Sequence, residues 1–98
     1  MAKYRERPIA VDAFQMTRER RWDNKDWPEW LNQAWNKDFG EGSLFIDFDD
    51  PYRERLVLGT LEGGYRLTWN DWIIRGVKGE LYACKPDIFE ATYEKVAD

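Results

Sequence analysis

Hydrophobic and polar positions change period twice along the chain, and the changes divide it into elements. From Pro8 to Gln15, Ile9, Val11 and Ala13 alternate with Ala10, Asp12 and Phe14, an apolar face against a mixed one, which predicts a strand. Thr17 to Lys25 is polar and strongly charged and reads as a loop. A helical period follows: Trp27, Trp30, Leu31, Ala34 and Trp35 fall on one side of a helix of about ten residues. Asp26 stands as its cap, Glu29 three residues on as the capping-box partner, and Pro28 in the first turn. A helix this short is not stable alone, so its tryptophan face needs a surface to pack on, most simply a sheet. Gly40 and Gly42 end that region.

Period two returns at Ser43. Leu44, Ile46 and Phe48 alternate with Phe45, Asp47 and Asp49 until Asp50-Pro51 breaks the strand. Arg55 to Leu61 is a strand, Glu62-Gly63-Gly64 a turn and Tyr65 to Trp69 the returning strand. After a turn at Asn70-Asp71, Trp72 to Arg75 and Glu80 to Cys84 pair across Gly76-Val77-Lys78-Gly79. Asp87 caps a short final helix, with Glu90 three residues later and Ile88, Phe89 and Thr92 toward the core. Consecutive strands on short turns pair antiparallel. The expected fold is α+β, a single domain over residues 1–98. Its small antiparallel sheet is strongly bent or an open barrel, has about six strands, and carries one amphipathic helix and a short C-terminal helix.

Composition narrows the function. Six of the 98 residues are Trp, and aromatic residues make up 16% of the chain. Rings of this size serve first as core in a small domain, and any excess left at the surface marks a contact. A homodimer or larger assembly is therefore expected. The net charge of −4 supplies no basic face, so duplex DNA is not an expected partner, and neither is an anionic membrane. No apolar run approaches about 20 residues, so no transmembrane helix is expected. Cys84 is the single cysteine, which excludes an internal disulfide and suits a reducing cytoplasm.

Chemistry is constrained by what is missing. There is no His, hence no Ser-His-Asp or Cys-His arrangement and no zinc site of the usual kind. Neither GxxxxGK[ST] nor GxGxxG occurs. Asp47 and Asp49, on one strand face beside Asp50, suit a hard divalent cation, but a solvated edge-strand face explains the same pattern. Cys84 beside Lys85 is a nucleophile only with a base nearby, and otherwise a small core residue. The remaining signal interleaves cations and rings: Arg18, Arg20, Arg21 and Trp22 in one cluster, then Arg66, Trp72, Arg75, Lys78 and Lys85. Guanidinium groups suit phosphate oxygens and rings suit a base. Arg75, Lys78, Lys85 and Arg21, with Trp72 or Trp22 as stacking surface, are thus the candidate ligand residues for a nucleotide-like anion. Pairing of the same cations with nearby carboxylates is the plainer reading. No catalytic residue, metal ligand or cofactor is assigned.

The segment from Asp71 to Glu94, DWIIRGVKGELYACKPDIFEATYE, resembles the C-terminal signature of a family of small phage- and prophage-encoded proteins, GDWIIxGVKGExYxCKPDIFExTYE. The opening Arg7 to Gln15 is similar to the family's KPxxVEAFQ-like start. Asn70 stands where the family often has Gly, and Ala83 where it often has Pro. The resemblance implies a phage-type accessory protein inside the bacterial host cell, acting by binding. Its partner is then either a nucleotide-like host defence signal that it sequesters, or a host or phage protein that it inhibits or helps assemble. A carboxylate–metal hydrolase on Asp47, Asp49 and Asp50 is the remaining alternative.

Overall fold

The fold is the expected α+β class with six antiparallel strands, arranged as two three-stranded sheets in place of a single strongly bent sheet or open barrel. In the computed structural model, which describes residues 2–4 and 8–96, β1 (Asp12–Gln15), β5 (Trp72–Arg75) and β6 (Leu81–Cys84) make an antiparallel sheet ordered β1-β5-β6. β2 (Leu44–Ile46), β3 (Leu56–Thr60) and β4 (Gly63–Arg66) make a second antiparallel sheet ordered β2-β3-β4. The helices are α1 (Arg18–Trp22), α2 (Glu29–Trp35) and α3 (Pro86–Thr92). The class is α+β, and the sheets do not close into a barrel. Among the described residues no helix is long and apolar enough to cross a membrane.

The sheets meet through β3 and β6, and α2 packs beside β2. Phe14, Met16, Trp27, Leu31, Ala34, Leu44, Leu56, Leu58, Leu67, Ile73 and Leu81 form the core between them. Ile73 and Ile74 are both fully buried although they point to opposite faces of β5. Ile73 faces the core with its cross-strand neighbour Phe14, while Ile74 shares the reverse face with Trp72 and Tyr82. There the ring of Phe89 on α3 stacks on Trp72 at 3.9 Å between centroids and 7° between planes, and Tyr93 stacks on Phe89 in turn. Arg75, on the Ile73 face, therefore borders the core.

Several local expectations change. β1 starts at Asp12, not Pro8, because its ladder ends where Asp12 meets Arg75. Phe14 and Met16 are its buried residues, whereas Ile9 is 61% exposed. The Arg7 end of the expected opening block lies outside the described residues. The segment read as a loop holds α1, capped by the Thr17 hydroxyl accepting from the Arg20 amide, with Glu19 in its first turn and Arg20 and Arg21 in its last. A 3₁₀ turn at Asn24–Asp26 follows. Asp26 closes that turn and does not cap α2, which begins behind Pro28 without a side-chain cap. β4 begins at Gly63, since Thr60 pairs with Gly63 across a two-residue turn, so Gly63 and Gly64 belong to the strand. α3 begins at Pro86, again without a side-chain cap, and Ile88 points outward.

One glycine contact shapes the segment ahead of β2. The Gly42 amide donates to the Gly59 carbonyl, and the Gly59 amide donates to Ser43, both at 2.8 Å. Two residues thus oppose one, and Gly42 has φ of +81°, the left-handed residue of a glycine bulge. A Cβ on Gly59 would lie 1.8 Å from the Gly40 carbonyl oxygen, so only glycine lets the 40–43 backbone rest on β3.

Candidate functional site

The six residues expected to hold an anion fall in separate places. Arg21 lies between the rings of Trp22 and Trp35 and donates to the Glu54 carbonyl at 2.7 Å and the Arg53 carbonyl at 3.2 Å. Burial lowers its pKa from the usual guanidinium value. Trp22 donates from Nε1 to the Glu54 carboxylate at 2.7 Å, and Arg18 pairs with the same carboxylate. Those two contacts, Arg18 first, hold Glu54 below the ordinary carboxylate range. The cationic cluster is therefore the pin that fastens α1 to residues 53–54.

Arg75 pairs with Asp12 at 2.6 Å and lies over the Trp30 ring. Lys78 sits exposed on the β5–β6 turn, its amide bound to the Glu80 carboxylate. Lys85 is at the other end of the same hairpin. Its ammonium donates to the Thr68 hydroxyl at 2.9 Å and to Asp71 at 3.3 Å. Burial, which would lower its pKa, is outweighed by Tyr65 and Asp71, which raise it. Asp71 is fully buried. Its Oδ2 also accepts from the Thr68 amide and closes the β4–β5 turn, while Oδ1 has no partner among the described residues. Trp72 is stacked under α3. Arg21 lies over the Trp22 ring, and of the six Arg75 lines a surface cavity, with Ala10, Val11 and Asp12.

The acidic cluster is likewise committed locally. Asp50 accepts from the amides of Tyr52, Glu54 and Arg55, and these bonds, Arg55 first, lower its pKa. Arg66 pairs with both Asp47 and Asp49. Among the described residues no group of three or more carboxylate, thiol or imidazole side chains is placed to hold a metal ion. The Cys84 thiol is pushed up by burial, then by Asp87 and Asp71, so it is not an activated nucleophile.

The surface that sequence reasoning passed over lies on β2. β2 is an edge strand. Ser43 accepts from Gly59 and Asp47 donates to Arg55, so the ladder alternation points the main-chain groups of Phe45 at β3 and those of Leu44 and Ile46 away from it; Leu44 is buried, and Ile46 is the half-buried end of that edge. Beside that edge runs a groove of about 600 Å³, lined by Trp35, Lys37, Asp38 and Phe39 on one side and Leu44, Phe45, Ile46 and Phe48 on the other. Phe39 meets Phe45 edge-on at 4.8 Å and Phe48 at 6.2 Å. Phe39 and Phe48 are 69% and 59% exposed. The available signal was Phe39 itself, a large ring between Asp38 and Gly40 in an otherwise polar connection. Phe48 reads as inward by strand alternation, but β2 ends at Ile46 and the chain turns it out.

A partly exposed strand end beside an aromatic groove suits contact with an apolar segment of another polypeptide. Comparison with known protein families, curated proteins and solved structures finds no match, so the likeness to the phage-encoded family rests on the residues quoted above.

Proposed function

We propose that the chain is a non-catalytic, phage-type accessory binding protein of the host bacterial cytoplasm, and that it holds an extended segment of another protein. The observation that carries this reading is the Phe39–Phe45–Phe48 cluster beside the edge strand β2. Large rings left in water on a small domain are surplus to its core and characteristic of contact surfaces. The groove would take apolar side chains of the partner, and the half-buried Ile46 main chain would supply hydrogen bonds at the end of the strand.

Capture of a nucleotide-like defence signal is the rival form of the binding reading. It draws support from the same cations and rings, but Arg21, Arg75 and Lys85 are each engaged inside the chain. Lys78 is the one of the four whose charged group has no partner among the described residues, and it stands alone on its turn.

Selection from a random-peptide library on the full chain, paired with isothermal titration of cyclic di- and trinucleotides and ADP-ribose derivatives, separates the two. Peptides with apolar residues at alternate positions should be enriched and should lose binding to Phe39→Asp. Heat from a nucleotide, with no peptide enriched, would overturn the reading in favour of its rival.

A further inference from the structure

β4 turns main chain to solvent on its free side. It is the last strand of its sheet, and β3 is the element it packs on. The Leu67 amide donates to the Leu56 carbonyl at 2.9 Å, and the same ladder sets Tyr65 against Leu58 and Gly63 against Thr60. Alternate residues of an antiparallel strand bond to the same neighbour, so the amides and carbonyls of Gly64 and Arg66 point away from β3. Gly63, Gly64 and Arg66 are exposed, and the exposed surface of a glycine is its main chain. No charged side chain guards this edge, because Arg66 is drawn back toward Asp47 and Asp49 beyond the end of β2. Bare, unpaired main chain of this kind is a template for a further strand.

A second copy suits the edge better than a foreign peptide. Pockets beside an edge select a foreign sequence, and two glycines in four residues build little of a pocket. The free groups stand symmetrically about Tyr65. A two-fold axis there lets Gly64 of each copy exchange both main-chain bonds with Arg66 of the other, and sets the two Tyr65 side chains opposite one another. The same register brings Leu61, 69% exposed in the β3–β4 turn, level with Trp69 of the second copy. It also brings Glu62 level with Thr68, whose hydroxyl holds the Lys85 ammonium at 2.9 Å. Among the described residues Glu62 is bonded through its amide alone. Lys85 uses two of its three donors, on Thr68 and Asp71, which leaves one for that carboxylate.

We propose that β4 of two copies pairs antiparallel about Tyr65 and closes a two-fold dimer, joining the two β2-β3-β4 sheets into one of six strands. The aromatic groove lies along β2, at the far side of each sheet, and stays free. The dimer therefore presents two grooves, and a target with repeated apolar segments gains from both.

Sedimentation and amide hydrogen exchange of the full chain over a range of concentrations test the pairing. The wild type should pass from monomer to dimer below about 1 mM. The Gly64 and Arg66 amides should exchange about tenfold more slowly in the dimer, while Tyr65, already bonded to Leu58, changes less. Glu62→Lys turns attraction into repulsion on both sides of the axis and should weaken the dimer about tenfold. Phe39→Asp should leave the dimer as it is. Both positions are exposed, so the fold should be kept, and circular dichroism checks it. A wild type that stays monomeric at millimolar concentration would sink the proposal. So would a dimer whose Gly64 and Arg66 amides exchange as fast as in the monomer, or one abolished by Phe39→Asp, which would put the contact in the groove.

Discussion

Substituting Gly59 by Ala tests whether the contact between β3 and the 40–43 backbone holds the groove in shape. The new Cβ falls 1.8 Å from the Gly40 oxygen, 2.8 Å from its carbon and 3.1 Å from Ser43 Oγ. Two of these are main-chain atoms, so no rotamer change relieves the clash. Overpacking of this kind costs about 1–3 kcal/mol. Gly40 is also held by Ser43, whose hydroxyl donates to its carbonyl at 2.6 Å, and losing that bond adds about 1 kcal/mol. A less flexible unfolded chain offsets about 0.4–1 kcal/mol. The net loss is about 2 kcal/mol, which lowers the thermal midpoint by about 10 °C for a domain of this size. Urea unfolding followed by circular dichroism gives the free energy directly. Gly64→Ala is the milder control, because its Cβ meets no main-chain atom and one side-chain methyl, Val57 Cγ1 at 3.1 Å, and should cost about 1 kcal/mol or less. Equal stabilities of the two variants would refute the reasoning. Gly59→Ala should also draw Phe39 away from Phe45 and weaken peptide capture.

Lys85→Met removes the charge partner of a fully buried carboxylate and should destabilise by about 2 kcal/mol in urea, less than a wholly buried pair because Lys85 is half exposed. Unchanged stability would free Lys85 for a ligand. Phe89→Ala unstacks α3 from Trp72 at about 2 kcal/mol. Tyr82, pushed up to about 12 by burial and then by the Tyr93 hydroxyl, should fall toward 10 in an ultraviolet titration, and Cys84 should react faster with a thiol reagent. The Glu54 pKa is depressed in the folded state, so its contribution is complete above the unfolded value near 4.3 and is lost as pH falls through the folded value. The thermal midpoint should drop over that acid range, and Glu54→Gln should flatten the drop. An identical pH profile in both proteins would show that Glu54 does not anchor α1.

Turn chemistry and period two were enough to place the β3–β4 and β5–β6 hairpins, the antiparallel pairing and the α+β class, because each depends on residues close together in sequence. The same local signals marked Trp27, Leu31, Ala34 and Leu44, all of which lie in the core. α1 was missed because it buries nothing and so has no apolar stripe; its stability comes from a cap and from Glu54, more than thirty residues away.

Where the charged side chains point belongs to the tertiary structure. Arg75 meets Asp12 across 63 positions, Arg21 meets Glu54 across 33, and Lys85 meets Asp71 beside a turn. A run of interleaved cations and rings cannot reveal such partners, since a guanidinium reads alike whether a ligand or a distant carboxylate awaits it. Composition announced an aromatic excess but not its location. That was decided when β2 ended at Ile46 and Gly59 admitted the Gly40 backbone, leaving Phe39, Phe45 and Phe48 together beside the edge strand β2. Local pattern encodes pairing and burial along the chain, whereas a surface assembled from two segments exists only once the chain has packed.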